Sequence, residues 1–211
     1  IKAFEVLTFV IDNPKKMSLS EMARALDMNK TTLFRFLSTL ETLGMLDRRD
    51  DQYVPGMKLF AMGNKVPVKE LIVDRVQPIL KELTEEVNET VNMGQLIGNR
   101  MLYLTKSESR RSLQIQTYVG GYISLHCSAL GKAVLSILPD AQREELIAGL
   151  DFHAHTPNTI TEPTVLRTQV EAVAERGYST DIAELEEGLN CVAVPLHVPQ
   201  LNFTGAISTS G

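Results

Sequence analysis

The chain has 211 residues, 44% hydrophobic and 22% charged, enough for one large or two modest domains that each bury a core. Its formal net charge is −5, with 10 basic against 8 acidic residues in 1–65 and 11 against 18 in the remainder; a polyanion can therefore be met only by one face of the first part. Two cysteines 64 positions apart make no disulfide framework, no run approaches the roughly 20 apolar residues of a membrane span, and nothing resembles a signal peptide, so a reduced, cytoplasmic location without a membrane partner is expected.

Lys2–Asp12 predicts a helix with Phe4, Leu7, Thr8 and Ile11 at helical spacing, stopping before Asn13-Pro14. Ser18 and Glu21 have the S-x-x-E spacing of a capping box and open a short helix running to Leu26. Asp27-Met28-Asn29 breaks it, Asn29 caps a second helix over about 30–43, and Gly44 is the residue type on which a helix ends in a left-handed turn. In this second helix Leu33, Phe36, Leu37 and Leu40 form one stripe, with Thr31, Arg35, Ser38, Thr39 and Thr42 opposite. A solvated helix face usually mixes Glu and Lys. A hydroxyl-rich face with one Arg, and no carboxylate until Glu41 at its margin, suits phosphate oxygens and base edges; the periodicity alone also fits a plain helix pair in a small α domain. Segments 45–49 and 52–55 flank Asp50-Asp51 as a hairpin, with Arg48 and Arg49 on it, and helix–turn–helix followed by a hairpin is the order of a winged helix.

Residues 57–64 form a short apolar helix, interrupted over 65–68 by Pro67. From 69 to 89 the chain returns to helix, with Leu71, Val73, Val76, Ile79, Leu80, Leu83 and Val87 as apolar positions and a helix–helix junction at Pro78. Strand-like segments follow at 90–97, 101–106 and 112–118, with a tight turn at 98–100. After Gly120-Gly121, residues 122–125 lead into LHCSALGKAVL (125–135) and a helix to about Leu138. A helix over 139–150, a loop over 151–160, a helix over 162–176 closed by Gly177, and final strands at 190–197 and 202–210 complete the chain. This mixed order indicates an α+β domain, not a doubly wound sheet.

Ser128-Ala129-Leu130-Gly131-Lys132 opens a helix right after a strand, and the unpaired N–H groups of a helix start bind an anion. The phosphate-loop pattern is absent, so a small carboxylate is the better fit; the alternative is that Ser128 only caps its own helix. Ser208 and Ser210 alternate along a strand and so share a face, Asp181 sits in a polar segment able to accept a ligand hydroxyl, and Cys191 taken alone reads as a small buried hydrophobe. His126-Cys127 with Cys191 invites a thiol-hydrolase reading, but adjacent strand residues face opposite ways and no third orienting group is identifiable, so no catalytic residue is expected. His153-x-His155, with Cys127 or His197 as distant ligands, reads as surface decoration before it reads as a metal pair; no metal or cofactor is expected.

LSEMARALDMNKTTLFRFLSTLETLGML, with the wing and GMKLFAMG after it, resembles the IclR family of bacterial transcription regulators. LHCSALGKAVL, GYSTDIAELEEGLNCVAVPL (177–196) and the terminal GAISTSG extend the resemblance across nearly the whole chain. It implies a winged helix–turn–helix domain (1–65), a linker helix (66–77) and a GAF-like α+β effector-binding domain with an antiparallel sheet (78–211), the chain being clipped at both ends relative to family members. The implied activity is that of a DNA-binding regulator, a repressor rather than an activator and not an enzyme, whose operator affinity is set by a small organic acid such as a sugar acid or short keto acid. Ser20, Lys30, Thr31, Thr32 and Arg35 fall to the DNA contact, with Arg48 and Arg49 on its backbone. The amides of Ala129 and Leu130 would hold the effector's carboxylate, beside Asp181, Cys191, Ser208 and Ser210, with Ile115, Ile123 and Leu189 as the apolar wall. A single winged domain buries too little surface for tight specific binding, so the expected partners are double-stranded operator DNA, a small carboxylate effector and a second copy of the chain through the linker, as a homodimer or a dimer of dimers. Competing classes are a cytosolic enzyme or metal-binding sensor on the same α+β domain, and a protein–protein module.

Overall fold

Ser18 Oγ accepts the Glu21 N–H at 3.3 Å and the Glu21 carboxylate accepts the Ser18 N–H at 2.8 Å, so the capping box that starts helix α2 (Leu19–Ala25) is complete. This is one local piece of a computed structural model that describes residues 1–67, 72–110 and 117–211. The chain divides into two compact units, Ile1–Lys69 and Glu70–Gly211.

In the first unit α1 (Lys2–Asp12) and α2 pack on α3 (Lys30–Thr42), whose start is capped by Asn29 Oδ1 on the Thr32 N–H at 2.8 Å. Asp27, at φ 47, makes the turn between α2 and α3, and Gly44, at φ 70, ends α3 in the left-handed region where a side chain is strained. Val6, Leu7, Val10, Leu33, Leu37, Leu40 and Leu46 form the core. The inward side of α1 differs from the sequence reading: Phe4 is 70% and Ile11 43% exposed, while Val6 and Val10 are buried. Six of the eleven residues of KAFEVLTFVID are large and apolar and lie all around the helix, so tertiary packing rather than spacing selects the face. β1 (Leu46–Arg49) and β2 (Gln52–Pro55) pair antiparallel around Asp50 and Asp51, both at positive φ as a tight hairpin turn with right-handed strand twist demands, and α4 (Met57–Gly63) follows.

In the second unit α5 (Asp74–Val87) contains Pro78 within it, so the expected junction between two helices does not form. Pro78 is the fifth helical residue and forfeits only the bond its N–H would make to the Asp74 carbonyl. The apolar stripe is also narrower than read. Leu80 is buried while Ile79 is exposed, because α5 meets the sheet through polar groups: Gln77 Nε2 and Thr84 Oγ1 donate to the carbonyls of Lys106 and Ser107.

β3 (Thr90–Ile97), β4 (Arg100–Ser107), β5 (Tyr122–Ser124), β6 (Ser179–Ile182), β7 (Asn190–Val198) and β8 (Phe203–Ser210) form one antiparallel sheet in the order β5-β4-β3-β8-β7-β6. β6 was not foreseen as a strand. Of the strand expected at 112–118, residues 112–116 lie outside the described residues, as do 68–71 of the expected linker, and Thr117 and Tyr118 are not in a strand. α6 (Ala129–Ile137) lies between this sheet and α8 (Pro163–Arg176), and Ala129 to Leu135 are all buried, Lys132 included. α7 (Asp140–Ala148) links α6 to the loop before α8.

Candidate functional site

On α3 the side turned away from Leu33, Leu37 and Leu40 exposes Lys30, Thr31, Arg35, Thr39 and Thr42, with Thr32 half-buried; Ser20 is half-buried in the first turn of α2. Among the described residues neither Lys30 nor Arg35 has an ion-pair partner. Thr39 and Thr42 hydroxyls donate to the Arg35 and Ser38 carbonyls at 2.8 and 2.9 Å, so they offer only lone pairs outward. The free donors of this face therefore concentrate in its N-terminal half, at Lys30, Thr31 and Arg35. Phe34, 51% exposed beside Arg35, is an apolar side chain on this half of the helix that the sequence reading does not single out. On the wing Arg48 Nη2 pairs with Asp51 Oδ1 at 2.8 Å and its guanidinium lies 5.9 Å from the Tyr53 ring centre, whereas Arg49 has no ion pair among the described residues.

In the second unit a cavity of about 30 Å³ lies at the start of α6. Eight of the nine residues singled out from the sequence line it: Ala129, Leu130, Asp181, Cys191, Ser208, Ser210, Ile123 and Leu189. The ninth, Ile115, lies outside the described residues. Tyr103, Thr117 and Leu185 also line it and carried no signal in the sequence, since each reaches the cavity from a separate element.

Strand pairing assembles the polar side. Asp181 on β6 lies opposite Cys191 on β7, and Cys191 lies opposite Ser210 on β8, with Sγ 3.3 Å from Ser210 Oγ. Asn92 Nδ2 donates to Ser210 Oγ at 3.3 Å, and Thr117 Oγ1 donates to Asn92 Oδ1 at 2.9 Å. Ser128 Oγ accepts the Gly131 N–H at 3.1 Å and donates to the Ser124 carbonyl at 2.6 Å, so its capping role is filled. Among the described residues the Gly131 and Lys132 amides both bond to Ser128, which leaves Ala129 and Leu130 as the free amide donors of this helix start.

Burial pushes the Asp181 carboxyl up to about 6, aided by the Glu184 charge and opposed by the Glu184 amide, which donates to Asp181 Oδ1 at 2.8 Å, and by Lys132. Burial likewise pushes the Cys127 and Cys191 thiols up to about 12 and the Tyr103 phenol above its usual range, so neither thiol is a nucleophile at neutral pH. A second, open groove of about 880 Å³ runs between α5 and β4; Lys81, Glu85, Lys106, Glu108 and Arg110 mix both charge signs on it, and it lacks the enclosed apolar wall of a ligand site.

The sequence argument that His126 and Cys127 face opposite ways fails, because β5 ends at Ser124 and both residues lie in the turn that follows. His126 is buried, its Nε2 is 3.1 Å from the His153 carbonyl oxygen, and its ring stands 6.2 Å from that of His155. Burial holds its imidazole below the usual histidine range. His197 lies on β7, with its Nδ1 3.0 Å from Thr204 Oγ1.

Two family models match: "IclR helix-turn-helix domain" over residues 1–50 and "Bacterial transcriptional regulator IclR C-terminal" over 66–211. The chain is similar to the HTH-type transcriptional regulator KdgR of Escherichia coli (strain K12), 28% identical over 198 residues covering 93% of this chain and 75% of the relative. It is also similar to the transcriptional repressor IclR of the same strain, 27% identical over 214 residues covering 100% and 78%. Among solved structures, an IclR homolog from Microbacterium hydrocarbonoxydans complexed with 4-hydroxybenzoate shares the fold with a TM-score of 0.81, at 20% identity over 99% of this chain and 86% of that one. The relatives are regulators, not enzymes, and the α+β fold with its N-terminal winged helix–turn–helix is theirs. The chain belongs to the IclR family of bacterial transcription regulators.

Proposed function

We propose that residues 1–65 bind operator DNA, that 66–77 link them to the rest, and that 78–211 bind a small organic acid which controls operator affinity. The observation that carries the reading is the α3 face, where among the described residues Lys30 and Arg35 stand free of ion pairs on a surface without a central carboxylate. Lys30, Thr31, Thr32 and Arg35 enter the major groove, Ser20 contacts the backbone from α2, and Arg49, with Arg48 once released from Asp51, contacts it from the wing. Two half-sites need two copies, and α4 supports self-association: it buries none of its residues and leaves Met57, Phe60 and Met62 at least half exposed. A homodimer, or a dimer of dimers, in the cytoplasm completes the reading.

The effector's carboxylate takes the Ala129 and Leu130 amides, with Asp181 and Ser208 on the hydroxyls of a sugar acid, or the Ser208 hydroxyl donating to the carbonyl oxygen of a short keto acid. A cavity of about 30 Å³ holds a water or two, against at least ~300 Å³ for common ligand pockets, so the acid binds a widened form. Preference for that form over the closed one is the free energy available to release DNA, in the sense of a repressor. DNA binding at two salt concentrations tests the first half: a steep negative salt slope is expected, and its absence excludes the DNA reading. Ser208→Ala with Asp181→Ala tests the second, and should abolish the response to acid while leaving operator binding intact.

A further inference from the structure

Outside the cavity, three metal-ligating side chains meet where the turn after β5 faces the loop before α8. One ring nitrogen of His126, Cys127 Sγ and one ring nitrogen of His155 all lie within 4.8 Å of one another. A second observation points to a ligand. His126 is fully buried, and among the described residues its Nδ1 has no hydrogen-bond partner, while its Nε2 faces the His153 carbonyl at 3.1 Å. A carbonyl only accepts, so Nε2 carries the proton and the buried Nδ1 keeps an unused lone pair, the one imidazole nitrogen of His126 left for a ligand. A backbone carbonyl fixing the tautomer from behind, with the other nitrogen free, is the outer-shell arrangement of metal-bound histidines.

We propose that His126, Cys127 and His155 form a binding site for a zinc-type divalent transition metal ion. The donor set is two imidazoles and a thiol that becomes a thiolate on binding, its proton leaving to solvent as the metal–sulfur bond forms. Hard cations such as Mg²⁺ or Ca²⁺ need oxygen ligands and are not served by it. Tetrahedral zinc needs nitrogen–sulfur separations of about 3.5 Å, so the trio closes by about 1 Å on binding. His155 is the residue able to move: it is exposed, on a loop, while His126 and Cys127 are held in the interior. The same exposure gives the ion its entry path and leaves the fourth position to water. The pairing differs from the His153–His155 spacing in the sequence, because His153 contributes its carbonyl to the tautomer and His126 supplies the imidazole.

Cys127 directly precedes Ser128, the cap of α6, so an occupied site anchors the residue before the helix start. The test is metal binding by the chain itself, freed of metal by a chelator that is then removed. Zn²⁺ is titrated in competition with a chromogenic chelator, and Co²⁺ is titrated by absorption. One equivalent of Zn²⁺ is expected, with a thiolate-to-cobalt charge-transfer band for Co²⁺. Cys127→Ser abolishes that band, His155→Ala weakens Zn²⁺ binding at least on the order of 10-fold, and His197→Ala leaves it unchanged. His155 is exposed, so its substitution spares the fold, which circular dichroism verifies. Absence of stoichiometric uptake, or equal affinity in the Cys127→Ser, His155→Ala and unaltered chains, overturns the proposal.

Discussion

Lys132 Nζ lies 2.5 Å from Glu184 Oε1, and the two side chains are 1% and 7% exposed. Gln169 Oε1 accepts from the same ammonium at 2.8 Å. This buried pair ties α6 to the segment after β6, whose Glu184 amide in turn holds Asp181. Removing one partner leaves the other charge buried alone, so Lys132→Met should cost about 3–5 kcal/mol in denaturant unfolding. Replacing both partners, as Lys132→Met with Glu184→Leu, should recover most of that loss. Equal losses in the single and double variants would show that the two residues are not coupled.

Gly131 sits one turn into α6, where a Cβ would stand 2.4 Å from Leu125 Cα and 2.5 Å from its carbonyl oxygen. The contact is with backbone, which cannot rotate aside. Gly131→Ala should therefore destabilise the chain despite alanine's better helix propensity, by about 1–3 kcal/mol or more, read as a lowered melting temperature. A neutral or stabilising result would mean that α6 and the turn at Leu125 separate freely.

Features decided by neighbours in sequence were legible before the structure. The Ser18–Glu21 box, the Asn29 and Ser128 caps and the left-handed Gly177 each depend on a residue three or fewer positions away or on one φ angle. What escaped depends on distant partners. β6 reads as polar, yet Ser179 is buried because its hydroxyl donates to the Ala129 carbonyl at 2.6 Å, fifty residues away. Tyr103 joins the cavity only once β4 is placed in the sheet, and strand alternation does not apply to His126 and Cys127 because β5 stops at Ser124. The cavity residues were named through resemblance; what the strands add is their register, Asp181 to Cys191 to Ser210.

Asp181, with its carboxyl raised by burial from the usual aspartate range to about 6, makes stability depend on pH with a definite sign. Between about pH 4 and 6 the folded chain keeps a proton that the unfolded chain has lost, so stability is highest below that window. It falls as pH rises through about 6 and then levels off, a change on the order of 2–3 kcal/mol. Asp181→Asn should remove this slope. The same ionisation places a negative charge beside the Ala129 and Leu130 amides, so affinity for a carboxylate ligand should fall on the order of tenfold across pH 6, and stay flat in the Asn variant. Calorimetric titration at pH 5 and pH 7.5 measures it.

Arg35, Arg48 and Arg49 carry the same charge but stand in different company, and their alanine variants should separate accordingly on DNA. Arg35 has no acidic partner among the described residues and projects from the N-terminal half of α3, so Arg35→Ala should cost about 1–3 kcal/mol on the specific site and much less on random sequence. Arg49 likewise has no ion pair among the described residues but sits on the wing, so Arg49→Ala should weaken both DNAs alike and lower the salt slope by about 1. Arg48 must first leave Asp51, an exposed pair worth at most ~1 kcal/mol, and its loss should be the smallest of the three. Asp51→Ala frees it and should tighten binding to any duplex. Equal losses on both DNAs for Arg35→Ala would reassign that residue to the phosphate backbone and leave base readout to Lys30, Thr31 and Thr32.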